Sequence, residues 1–303
     1  MSFDNAYAAL ADEHEDTRWA YGTGFDDALS RVDRALPSNV DPAELARYCL
    51  MLGDDALILA QRLAEWCSRG PELEEDVAIA NIALDLLGQA RMLLTRAGEA
   101  EGEGRTEDTL AYLRGTSEFR NVVLVETDCG PGPGGDFAVT MVRLLIFATW
   151  RLACFQRLTE SADPVLAAVA AKGVKELAYH RDHAAQWVVR LGDGTAESAR
   201  RTAAGLERVR PWLGELFVPH PVESALATAG IAVDPSSLRG EVAAVLRQVL
   251  AAADLADRTS DLVAALGAVP TGEHGREGRH TPALADLLAE MQSEARADPA
   301  AVW

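Results

Sequence analysis

Residues 41–99 read DPAELARYCLMLGDDALILAQRLAEWCSRGPELEEDVAIANIALDLLGQARMLLTRAGE, and two helix starts are written into them. Asp41-Pro42-Ala43-Glu44 places an N-cap carboxylate, a proline at the first helical position and a glutamate at the capping-box position. The helix it opens is predicted to run to about residue 68, where Arg69-Gly70-Pro71 stops it. Glu72, Glu74, Glu75 and Asp76 then cluster where a helix macrodipole favours negative charge, and a second helix is predicted to about residue 99. Two long apolar helices joined by so short a link make a tight antiparallel hairpin.

Working outward, the loop GEGRTEDT leads to a short segment at 107–120, and CGPGPGG at 129–135 interrupts the chain. A third helix is predicted from Asp136 to about residue 160. A fourth starts at Asp163-Pro164 and ends where Gly192-Asp193-Gly194 follows Leu191. Hairpin, long connection, hairpin is the order of a ferritin-like four-helix bundle with one crossover, so an all-α fold is expected. Further helical pieces are predicted at about 196–217, 221–230, 235–258 and 281–296. GEHGREGRH at 272–280 reads as a polar, mobile loop. Residues 1–40, acidic and punctuated by Tyr21-Gly22-Thr23-Gly24, read as a flexible extension, leaving 41–303 as the folded domain.

Composition agrees with this. Aromatics are only 6%, and valine and isoleucine seldom alternate as a strand needs, so no sizeable sheet is expected. A net charge of -19 repels nucleic-acid phosphates and anionic lipid, which argues against either as a partner. The N-terminus lacks a basic region followed by an apolar one, and no run reaches roughly 18 uninterrupted apolar residues, so a cytoplasmic location is expected. Cys49, Cys67, Cys129 and Cys154 are too scattered for a zinc site or disulfide framework and read as buried free thiols. Gly53 and the glycines of 130–135 follow no strand, which removes a phosphate-cradling loop, and no GxSxG occurs.

A helical bundle of this kind invites comparison with carboxylate di-iron proteins. Those need a Glu from each of two helices and Glu-x-x-His from each of the other two, since i, i+3 spacing aims both side chains at one point. Helix two offers Asp85 on an inward stripe with Asn81, Gly88 or Gln89, and Met92, but Gly88 stands where the histidine belongs. Helix four, KGVKELAYHRDHAAQW, offers Glu176, yet Tyr179 takes the i+3 position and His180 lies one residue late. Helix one supplies Asp54 or Asp55. Helix three, MVRLLIFATWRLACF, has Ala148 at its centre and no acid nearby. The set falls short, so the remaining carboxylates are expected to be neutralised by cations, with Lys172 facing Glu176 and Arg62 facing Asp55. A single metal ion at Asp85, Glu176 and His180 is the alternative. His180-x-x-His183 reads as core and surface histidines.

The stretches LGDDALILAQRLAEWCSRGPELEEDVAIANIALDLLGQARMLL and KELAYHRDHAAQWVVRLGDGT carry a resemblance to a known family. It continues through DTLAYLR and GIAVDP to HTPALADLLAEMQ, so only the N-terminal extension falls outside. The chain resembles the C-subunit family of bacterial phenylacetyl-CoA epoxidase, a multicomponent ring 1,2-monooxygenase of aerobic phenylacetate degradation. The resemblance implies a ferritin-like, structural subunit without cofactors of its own. It also implies that the di-iron centre and the acyl-CoA site lie in a homologous A subunit. A small B subunit is implied as well, and so is a reductase with flavin and an iron-sulfur centre delivering NADPH electrons. Three roles are weighed on this basis: a scaffold subunit, a metal-dependent oxidoreductase with a reduced site, and a storage protein, the scarcity of ligands weighing against the last.

Overall fold

Asp41 caps the first helix, α1 (Pro42–Ala64), by accepting the Ala43 N–H at 2.9 Å, and Pro42 starts it with an already helical φ. In the computed structural model, residue 29 and residues 32–132, 135–269, 272 and 274–298 are described. Residues 1–28, 30 and 31 of the expected extension lie outside them. α1 ends at Ala64 rather than near residue 68, and the chain continues through turns into α2 (Leu73–Glu101). Gly102 closes α2 at φ 70, a left-handed conformation that glycine adopts without a Cβ clash.

The crossover consists of α3 (Glu107–Tyr112), a tight turn at Thr116–Glu118 and α4 (Val123–Glu126). The second hairpin is α5 (Phe137–Leu158) and α6 (Pro164–Gly192), whose starts are capped by Asp136 and Asp163. There follow α7 (Ala196–Val209), α8 (Pro221–Thr228), α9 (Arg239–Ala252), α10 (Thr259–Ala265), α11 (Pro282–Met291) and α12 (Ser293–Ala297). α4 and α10 were not anticipated; both are shorter than the window in which helical periodicity can be read. Among the described residues there is no strand, only a single bridge between His274 and Arg279.

α1 pairs with α2, α5 pairs with α6, and α2 against α6 joins the two hairpins. α5 is the central rod, with every residue from Ala138 to Phe155 buried, because α7 and α9 cover the side that the other bundle helices leave open. A helix apolar on all sides needs such enclosure. Fully buried Phe147 and Phe155 each contribute roughly 1.5–3 kcal/mol of transfer free energy. α6 comes close to this rod at Gly173, where a Cβ would lie 2.7 Å from the Phe155 ring. Helices α2 and α5 are long and apolar enough to cross a membrane by length and composition; in this fold the apolar window of α5 is 94% buried and that of α2 only 44%.

Two expectations are corrected. Of the segment at 272–280, residues 274–280 are anchored rather than loose: Gly275–Glu277 forms a helical turn, Arg276 is buried, and a Cβ on Gly275 would fall 1.8 Å from the Asn121 carbonyl oxygen. Three of the cysteines are buried, but Cys67 is exposed, because α1 has already ended and the turn carries it outward.

Candidate functional site: a cation-filled bundle core

Adjacent carboxylates on α1, both fully buried, organise the core. Asp54 is gripped by the fork of Arg114 from the crossover, with the longer of the two contacts at 3.0 Å, and also accepts the Arg120 backbone N–H at 2.8 Å. Asp55 takes Arg276 bidentately, at 3.0 and 2.8 Å, and the Val122 N–H at 2.8 Å. Burial raises Asp55 above the usual carboxylate range, with Arg276 pulling the other way. Burial likewise opposes the charge of Arg276, but Asp55 and Glu223 outweigh it and leave the guanidinium above its ordinary value. The bidentate contact has the geometry of an ion pair. Arg276 also donates to the Met51 and Arg120 carbonyls, which satisfies the donors a buried fork would otherwise waste.

From Asp55 the polar chain crosses the bundle. Arg151 of α5, 4.0 Å from Asp55, donates to the Leu52 carbonyl at 3.1 Å and to the Gln89 side chain at 3.0 Å. Gln89 donates in turn to Glu176 at 2.9 Å. Arg151 stacks on the Phe155 ring 4.4 Å from its centroid, a cation–π contact made stronger by exclusion of water. Burial pulls the Arg151 pKa down to about 10, with Asp55 opposing, so the side chain remains a cation. On the far side, His180 Nε2 donates to Asp85 at 3.0 Å, and His183 lies 3.1 Å from Glu75. Burial raises Glu176, the Gln89 hydrogen bond opposes this, and Asp85 adds to it.

This donor set does not fit a pair of metal ions. Asp55 and Glu176 are linked through Arg151 and Gln89 rather than facing a shared point, and a guanidinium stands between them where two cations would have to sit. Among the described residues no group of three or more His, Cys, Asp or Glu side chains could hold a metal ion, Asp85, Glu176 and His180 included. What the arrangement can do is hold four helices in register through charge.

The phenylacetic acid catabolic protein family matches this sequence over residues 32–303. The chain belongs to that family. It is similar to the C subunit of the 1,2-phenylacetyl-CoA epoxidase of Escherichia coli (strain K12), with 44% identity over 260 residues, 86% of its own length and 99% of the relative's. Its all-α bundle is the ferritin-like fold of the phenylacetic acid catabolic proteins.

In this family member the residues singled out from sequence fall into two groups. Asp85, Glu176, His180 and Lys172 do meet along the α2–α6 seam, with Lys172 Nζ 3.8 Å from Glu176. Gly88 lies beside them with open space where a Cβ would be, and Tyr179 points outward, 41% exposed. Ala148 is sealed inside α5. The proposed partner of Asp55 is a correction: Arg62 donates instead to Glu65, to the Glu126 carbonyl and to the Ala283 carbonyl, so the cation on Asp55 is Arg276. Two turns along the helix from Asp55, Arg62 is turned toward the crossover. Asn81, assigned to the inward stripe, is exposed, while Gln89 of the same helix is buried.

The residues missed are Arg151, Arg276 and Arg114. A signal for the first existed: Arg143 and Arg151 interrupt the mostly apolar middle of a helix free of acids, and an arginine so placed needs a buried partner from another element. The loop at 274–281 has further anchors. His280 Nδ1 is 2.7 Å from Glu126, the Thr281 N–H donates to the same carboxylate, and Glu215 accepts the N–H groups of Val123 and Gly275 at 2.7 Å each.

Proposed function

We propose that this chain is a non-catalytic, structural subunit of a phenylacetyl-CoA 1,2-epoxidase complex acting in aerobic phenylacetate catabolism. The observation that carries the reading is Arg151: a buried guanidinium hydrogen-bonded to Gln89 and facing Asp55 at the heart of the bundle supports a scaffold rather than a metal centre. In this reading the di-iron centre and the acyl-CoA site lie in a homologous A subunit. A reductase with flavin, an iron-sulfur centre and NADPH, together with a small B subunit, completes the system, and none of those cofactors belongs to this chain.

A second feature supports a subunit role. α2 exposes Leu73 (74%), Val77 (53%) and Leu84 (63%) along one side, a helix apolar enough for an interior but more than half uncovered. The homologous four-helix subunit is the occupant proposed for this face, helix laid on helix. Iron analysis of the chain alone and in complex is the test. The expected result is no stoichiometric iron on the chain alone, iron in the copurified complex, and loss of copurification in Leu84→Asp with melting unchanged. Near-stoichiometric iron on the isolated chain, removed by His180→Ala, would overturn the reading in favour of a metal-dependent oxidoreductase.

A further inference from the structure

Away from the bundle core, a cleft of about 560 Å³ opens between the start of α1, the end of α2 and the crossover. Its charged lining sorts into two kinds. Arg105 is held by Glu101, with Glu103 4.0 Å away, and Arg114 is held by Asp54. The carboxylates are equally engaged: Glu118 accepts the Gly115 N–H at 2.7 Å and Asp41 caps α1. Arg47 and Arg120 are left over. The Arg120 side chain donates only to the carbonyls of Ser117 and Phe119, and Arg47, with its buried Nε lacking any hydrogen-bond partner, has no ion pair among the described residues.

Two guanidinium groups that form no ion pair among the described residues share one cleft in a chain of net charge -19. They repel: burial, and after it the Arg47 charge, pull Arg120 below the ordinary arginine value, with Asp54 and Glu118 opposing and Arg114 adding to the effect. In the cleft at Gly135 and Asp136, by contrast, Arg200 and Arg201 are both paired with Glu197. An anion would relieve the repulsion, and it would meet several N–H donors arranged for oxygen. A neutral ligand would leave the repulsion in place, and a cationic one would add to it.

We propose that this cleft binds a phosphate-bearing small molecule, its phosphate held between the guanidinium groups of Arg47 and Arg120. A dianionic phosphate suits the pair better than a carboxylate, since it presents three oxygens and enough charge to answer both forks. The proposal is independent of the scaffold role, because neither arginine touches the α2–α6 seam or the core carboxylate Asp55.

Calorimetric titration of the full chain with inorganic pyrophosphate, at constant ionic strength, tests it. Saturable binding is expected, weakened roughly tenfold or more in Arg47→Gln and in Arg120→Gln, the loss of a charge-assisted hydrogen bond. Arg200→Gln should bind as the parent does, and Arg47→Lys, which keeps the charge and loses the fork, should fall between. Because relief of repulsion replaces no partner, Arg47→Gln without pyrophosphate should melt no lower than the parent, and the Arg120 side chain can change while its backbone N–H stays on Asp54. Absence of saturation, or equal weakening in Arg200→Gln, would overturn the assignment. So would pyrophosphate-independent loss of copurification in the Arg47 and Arg120 variants, which would make the cleft a protein contact.

Discussion

Asp55 and Glu176 lie at opposite ends of one polar chain and have met different fates. Asp55 is sealed from solvent and gripped by Arg276, with Arg151 behind it, while Glu176 holds one amide at 2.9 Å and one half-exposed lysine at 3.8 Å. Where a neighbouring element delivers a guanidinium, a carboxylate can be buried as an ion; where none does, the site keeps partial contact with water. Guanidinium groups neutralise the carboxylate at one end only, and the other end keeps some contact with solvent.

The contrast can be broken by measurement. Asp55→Ala leaves Arg276 and Arg151 buried without their anion and should cost about 3–5 kcal/mol in denaturant unfolding; a cost near that of an exposed carboxylate would dissolve the distinction. Joint replacement of Asp55 and Arg276 by apolar residues should cost less than the sum of the two single changes. The next effect depends on pH. Burial raises Glu215 to about 7, against roughly 4.3 for a glutamate in the unfolded chain. Between those values the folded chain keeps a proton that the unfolded chain has released, so this stabilisation is present at low pH and is lost as pH rises through about 7. The stability of the parent relative to Glu215→Gln should fall by about 2–3 kcal/mol between pH 5 and pH 8; a difference that does not change with pH would mean the carboxylate is ionised throughout.

Smaller changes sharpen the other end. Glu176→Ala strips Gln89 of one partner beside solvent and should cost about 1 kcal/mol. Asp85→Ala, at a side chain 39% exposed, should cost about 0.5 kcal/mol. An Asp85 cost matching that of Asp55 would show that the seam, too, is a buried ionic network. At the surface, Glu197→Gln should leave the melting temperature unchanged.

The long helices were legible because Asp41, Asp136 and Asp163 cap them and Pro42 and Pro164 start them, all signals local in sequence. The charge partners were not. Helical arithmetic can test only partners on the same helix, which is why it nominated Lys172 for Glu176 correctly and Arg62 for Asp55 wrongly; the true partner, Arg276, is 221 residues away. The stretch at 272–280 looked mobile for the same reason: polar and glycine-rich, it shows no periodicity, and residues 274–280 are anchored by Asp55, Glu126 and Glu215 on distant elements.

That long separation has a consequence for synthesis. Asp54 meets Arg114 only 60 residues downstream, but Asp55 must wait for Arg276, 221 residues on. At ribosomal speeds of ~5–20 residues per second that wait is roughly 10–45 s. Through it a growing chain can form the α1–α2 hairpin yet cannot dry out its interior around Asp55, so the bundle closes only when its last quarter has emerged.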